Sequence, residues 1–156
     1  MKKVLPGLFF FLSISLSFSS NDLYKVRELY FKVSLEEEEL ETFENYLNKK
    51  IKTSNPEIEG YKCVLWFLKA KEYYNPYKKY EAFSEGKKQL ELLITKNPNS
   101  IELRFLRLTI QDNLPGFLGY DDNITEDNKF IKKNIKSLKN DLDLIKRINA
   151  YLAQRN

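Results

Sequence analysis

From Leu23 onward the apolar residues of this chain recur at intervals of three and four, and no stretch alternates with period two for long. That spacing lays apolar side chains along one face of an α-helix and leaves no pattern from which a sheet could be built. The chain therefore reads as all-α. With five Gly and five Pro in 156 residues, the punctuation is sparse enough to place each break.

Leu23, Val26, Tyr30 and Val33 give a first helix beginning near Asp22. Ser34 and Glu37 have capping-box spacing, so a second helix is expected from Ser34, with Glu36 to Glu39 on the positive end of its dipole. Its stripe is Leu40, Phe43, Leu47 and Ile51. Thr53 to Pro56 ends it. The third helix carries Tyr61, Val64, Leu65 and Leu68 on one side and Cys63, Phe67, Ala70 and Tyr74 on the other, the pattern of an element packed between neighbours. Asn75-Pro76 breaks it. A fourth helix runs to about Lys96 through Tyr80, Phe83, Gly86, Leu90 and Leu93, where Gly86 in the stripe permits a close helix approach. A fifth spans about Ser100 to Asp112, a loop follows over 113–123, and one or two helices follow, with a break near Ser137 to Asn140. Asn123 and Glu126 have the spacing to cap the helix after the loop. Six or seven helices in antiparallel pairs result.

The first 19 residues have the three parts of a secretory leader. Lys2 and Lys3 form the positive start, Val4 to Phe18 a largely apolar run, and Ser17 and Ser19 sit at −3 and −1 of a cleavage after Ser19. The run is shorter than the roughly 20 residues of a spanning helix. The reading is an exported protein, periplasmic or secreted, with residues 20–156 as one domain and no transmembrane span after cleavage. The formal charge of +4 falls to +2 without the leader lysines, too weak a field for nucleic acid as the main partner. Cys63 is the only cysteine, so the fold has no internal disulfide and depends on packing, with eleven Phe and ten Tyr to supply it.

The stretches beginning at Thr53 and at Thr95 both open T-x-N-P, and Tyr61, Lys62 and Val64 match Leu103, Arg104 and Leu106 in type. Such an echo suits stacked helical repeats. Tyr77, Gly86, Leu90 and Pro98 have the spacing of the Tyr, small residue, Phe-type residue and Pro of the tetratricopeptide motif, while Ala70, Tyr73 and Tyr74 stand in place of its Trp, Leu and Gly. Over about one repeat, then, the chain resembles a tetratricopeptide-like helical repeat. The resemblance implies a short α-solenoid with a concave surface that binds proteins or peptides. The whole chain also resembles small exported bacterial helical proteins, a likeness that implies no activity.

Several chemistries lack their residues. No histidine is present, which removes the commonest general base and metal ligand. No phosphate-binding glycine loop or nucleophile elbow occurs. Cys63 on an apolar helix reads as a small core residue. Glu59, Glu72, Glu102, Asp121 and Asp122 remain for carboxylate-only catalysis, but no spacing singles out a pair. Asp121, Asp122 and Asn123 lack the alternation of a calcium loop. No cofactor and no metal are expected, and the reading is a non-enzymatic protein- or peptide-binding module of the cell envelope. The alternative is a carrier of a small apolar ligand between the C-terminal helices and the aromatic loop 113–123.

On a helical wheel the fifth helix has two opposite apolar faces, Ile101, Phe105 and Leu108 against Leu103, Leu106 and Ile110. Arg104, Arg107 and Gln111 lie between them on one side, Glu102 and Thr109 on the other. The arginines either fix acids such as Asp121 or Glu72 or receive a partner's carboxylate. The loop offers Leu114, Phe117, Leu118 and Tyr120, which either fold over an open end of the stack or form a contact patch. The candidate binding residues are Arg104, Arg107, Gln111, Phe117, Leu118 and Tyr120.

Overall fold

The computed structural model describes residues 20–49 and 55–155. The leader expected over 1–19 and the stripe residue Ile51 lie outside the described residues. Among the described residues seven α-helices form an all-α fold: α1 (Ser20–Ser34), α2 (Leu40–Lys49), α3 (Pro56–Glu72), α4 (Pro76–Lys96), α5 (Ile101–Asn113), α6 (Ile124–Asn134) and α7 (Leu142–Gln154). Short 3-10 turns at Gly116–Leu118 and Ile135–Leu138 flank α6, and no strand occurs among the described residues.

Local chemistry sets most helix starts. Asn55 accepts from the backbone N–H groups of Glu57 and Ile58, with Pro56 as the first helical residue of α3. Asn75 and Pro76 repeat the device for α4. Ser100 caps α5 and Asp141 caps α7. Two expected capping boxes are not formed. Ser34 instead ends α1, its hydroxyl donating to the Tyr30 carbonyl, and α2 starts only at Leu40. The chain between them closes α1 with bonds from Glu37 N to Lys32 O and Glu36 N to Val33 O, leaving Glu36 at φ 60°. This is the Schellman geometry, and it displaced the box because the orphan carbonyls of α1 found partners first. At α6, Asn123 Oδ1 accepts from Gln111 and Glu126 accepts from Arg104, so tertiary bonds took both side chains from the cap.

α3 and α4 form an antiparallel hairpin, seated where Gly86 lets α4 approach Phe67 and Trp66. α5 and α6 form a second, with Gln111 against Asn123 at one end and Arg104 over the Phe130 ring at the other. α3 runs parallel to α5, since Glu57 meets Ser100 and Gly60 meets Leu103. A Cβ on Gly60 would press into the Leu103 and Leu106 side chains, so glycine permits this close approach. α1 and α2 pack across the α3 side.

α5 is the central element. Leu103, Leu106 and Ile110 belong to the larger core with α1 to α4, while Ile101, Phe105 and Leu108 join α6 and α7 through Ile131, Leu144 and Ile148. The two faces seen on the wheel are thus the faces of two cores. α3 buries both its sides, except that Tyr74 lies past the helix end and is fully exposed, and Tyr80 on α4 is also exposed.

Candidate functional site

Two polar seams flank α5, and each is closed by charges of the chain itself. On one side Arg27, 3% exposed, sends Nε to Glu102 Oε1 at 2.7 Å and Nη2 to Glu102 Oε2 at 2.6 Å. The same guanidinium reaches Asp141 at 2.9 and 2.7 Å and Asp143 at 3.3 Å, and Tyr61 donates to Glu102 at 2.9 Å. One side chain thereby ties α1, α5 and the start of α7. Burial alone would lower the Arg27 pKa, but the Glu102 and Asp141 carboxylates outweigh it and hold the guanidinium charged.

On the other side Asp127 is 0% exposed and receives two arginines. Arg107 donates from Nε at 2.7 Å and from Nη2 at 2.8 Å, and Arg104 from Nη1 at 2.9 Å. Arg107 also reaches Glu91 at 2.7 Å, and Glu91 accepts from Tyr120 Oη at 2.5 Å. Arg104 further binds Glu126 at 2.9 Å and stacks on Phe130 at 4.2 Å. Their partners are therefore Asp127, Glu126 and Glu91, not Asp121 or Glu72. Burial pushes the Tyr120 phenol up, and its bond to the Glu91 carboxylate raises it further.

Beyond these seams lies a cavity of about 1120 Å³. Tyr30 and Phe31 of α1, Val64 and Phe67 of α3, and Tyr80 and Phe83 of α4 form one part of its wall. Ile110 of α5, Leu114, Phe117 and Leu118 of the loop, and Ala150 and Tyr151 of α7 form the rest. The aromatic rings support one another: Phe67 stacks on Tyr120 at 6.2 Å and meets Phe83 edge-on at 5.9 Å. Polar groups inside the wall are already bonded. Tyr30 Oη and Thr109 Oγ1 pair at 3.3 Å, and Asn113 donates to the Thr109 carbonyl at 2.8 Å. The interior is thus apolar in effect. Phe117, 87% exposed, and Tyr80, 62% exposed, mark its mouth.

Of the residues expected to bind, Phe117 and Leu118 line this cavity, whereas Arg104, Arg107, Gln111 and Tyr120 do not. Gln111 is buried against Asn123 at 3.2 Å, and Tyr120 backs the wall through Phe67 and Phe83. Cys63 is buried and its thiol is pushed up to about 12, by burial first and the nearby Glu59 second, which leaves it protonated at neutral pH. Among the described residues no three His, Cys, Asp or Glu side chains are placed to hold a metal ion. No described helix is long and apolar enough to cross a membrane.

Sequence reasoning missed Arg27 and the α1, α3 and α4 walls of the cavity. Arg27 did leave a signal: it interrupts the apolar stripe between Val26 and Tyr30, where a charge needs a buried partner. Compared with protein-family models, curated proteins and solved structures, the chain matches none.

Proposed function

We propose that the chain is an exported, non-enzymatic binding module that holds a small apolar molecule in the cavity. The observation that carries this reading is the aromatic wall itself, about 1120 Å³ of space whose internal polar groups are satisfied by the protein. Ligand sites are concave, mostly apolar and of several hundred to about 1000 Å³. The succession of hairpins α3–α4 and α5–α6, with α3 parallel to α5, supports a short tetratricopeptide-like stack whose inner helices face the cavity. Export rests on the leader-like residues 1–19.

Titration with the neutral dye N-phenyl-1-naphthylamine tests the reading. Energy transfer from Trp66, the only tryptophan and the neighbour of Phe67, reports on the site. Saturable one-to-one binding is expected, and Ala150→Trp, on an exposed wall position, should weaken it by about tenfold by filling space. Unsaturable binding, or binding indifferent to Ala150→Trp, would retire the reading.

A second reading, protein or peptide binding, is favoured by the exposed row Tyr74, Tyr77 and Tyr80. It places the partner on exposed side chains around the start of α4, of which Tyr80 also borders the cavity mouth. Pull-down from envelope extract that is lost on Tyr77→Ala, with dye binding unchanged, would support it.

A further inference from the structure

We infer that the cavity takes an anionic amphiphile, with a long apolar chain among the aromatic rings and a carboxylate or phosphate headgroup at the mouth beside Lys71, Lys79 and Lys146. This inference rests on the reading of the cavity as a ligand site. The three lysines line the cavity from three different helices, α3, α4 and α7, and all three are exposed. Among the described residues none of them is paired with a carboxylate, the lysine ion pairs being those of Lys25, Lys32, Lys62, Lys69 and Lys88.

The other charges of the lining are already neutralised. Asp143 accepts from Arg27 at 3.3 Å and from Arg147 at 3.0 Å. Arg147, so occupied, lies over the Phe31 ring at 5.0 Å. The uncompensated charge at the mouth is therefore positive, and a low-dielectric wall beside it concentrates that field. Deeper in, the hydroxyls and amides are bonded to the protein, so an ionic headgroup has no partner there and must stay at the mouth. Lysines suit this place because their apolar stems extend the wall while the ammonium groups remain in water. They are compact point charges on flexible arms, so they accept either anion without the planar match that arginine demands. An extended peptide would bring backbone N–H and C=O groups against a wall whose Tyr30, Thr109 and Asn113 groups are already bonded.

Displacement of N-phenyl-1-naphthylamine from the full chain, with sub-micellar probes sharing one hexadecyl chain, tests the inference. Hexadecanoate and hexadecyl phosphate are expected to displace the dye at least about tenfold more tightly than hexadecanol, with hexadecyltrimethylammonium weakest. The tighter of the two anions names the headgroup, and either order supports the inference. Replacing the three exposed side chains together, Lys71→Glu, Lys79→Glu and Lys146→Glu, should reverse the charge preference and leave hexadecanol unchanged. Hexadecanol binding as tightly as the anions, or a preference that survives the triple substitution, overturns the anionic headgroup while leaving an apolar site intact. Failure of every probe and of the dye retires the cavity reading as well. Displacement by an acidic amphipathic peptide more tightly than by any lipid probe overturns both in favour of a peptide ligand.

Discussion

Arg107 and Arg27 are worth most as structural ties. Asp127 is fully buried and depends on Arg107 for two bonds and on Arg104 for one. Removing one partner of a buried pair strands the other charge, at a cost of about 3–5 kcal/mol. Arg107→Ala and Arg27→Ala are therefore expected to lose stability in that range in urea unfolding. Arg104→Ala should lose less, because Arg107 still satisfies Asp127 and because Arg104 is partly exposed. Lys132→Ala, on an exposed position of α6, should stay within about 0.5 kcal/mol. Equal melts for Arg107→Ala and Lys132→Ala would contradict the anchoring role. The same bonds direct the arginines of α5 to acids of the chain itself, and neither side chain borders the cavity.

Helix spacing depends on two glycines and one strained glutamate. A Cβ at Gly86 would stand 2.9 Å from Phe67 Cε2 and 3.0 Å from Trp66 Cβ. Alanine normally gains about 1 kcal/mol over glycine inside a helix. Here the Phe67 ring is held by Tyr120 and Phe83 and cannot yield freely, so overpacking of about 1–3 kcal/mol should win. Gly86→Ala is expected to lower the melting temperature and, by driving Phe67 toward the cavity, to weaken dye binding as well. A stability gain would mean that α4 stands farther off than described. Glu36 shows the opposite sign. Its φ of 60° at the end of α1 suits glycine, not a residue with a side chain. Glu36→Gly should therefore stabilise by about 0.5–1 kcal/mol in thermal or urea unfolding. A loss would show that the turn is held by the Glu36 side chain.

The response of the entire protein to acid follows from its carboxylates. With no histidine present, little should titrate between pH 8 and 5, and the melting temperature should be flat there. Glu28 is lowered from 4.5 to about 2 by bonds from Lys32 and Lys25. Glu126 is lowered by Arg104, and Asp141, although burial raises it, is held down by Arg27 and the Leu144 N–H. Groups with depressed folded values contribute stability that is complete above their unfolded values and lost as pH falls through the folded ones. The steep loss is thus expected from about pH 4.5 down to about 2. Glu102, pushed up by burial against the pull of Arg27, works in the opposite direction, its folded state favouring the protonated form as pH falls. Added salt should flatten the part owed to the half-buried Glu28 and its exposed-side lysine pairs. A melting temperature that falls already between pH 7 and 5 would contradict this account.

Neighbours along the chain carried a large part of the fold. Helix class, the Asn-Pro breaks ahead of α3 and α4, the two apolar faces of α5 and the close approach at Gly86 follow from spacing within a few residues. They were legible because helix geometry makes positions three and four apart into neighbours. Competition between distant groups was not legible. Ser34 and Asn123 carry good local capping signals, yet the closing bonds of α1 and the side chain of Gln111 claimed those positions. Arg27 gathers carboxylates from positions 102, 141 and 143, and no local pattern states which acids a buried guanidinium will meet. Of the loop aromatics, Tyr120 turned inward and Phe117 outward to the mouth, because Glu91 and Phe67 were there to receive the first. The cavity itself exists only where α1, α3, α4, α5, the loop and α7 leave space between them. Periodicity says which face a helix buries; the space left between several buried faces depends on how they are packed together.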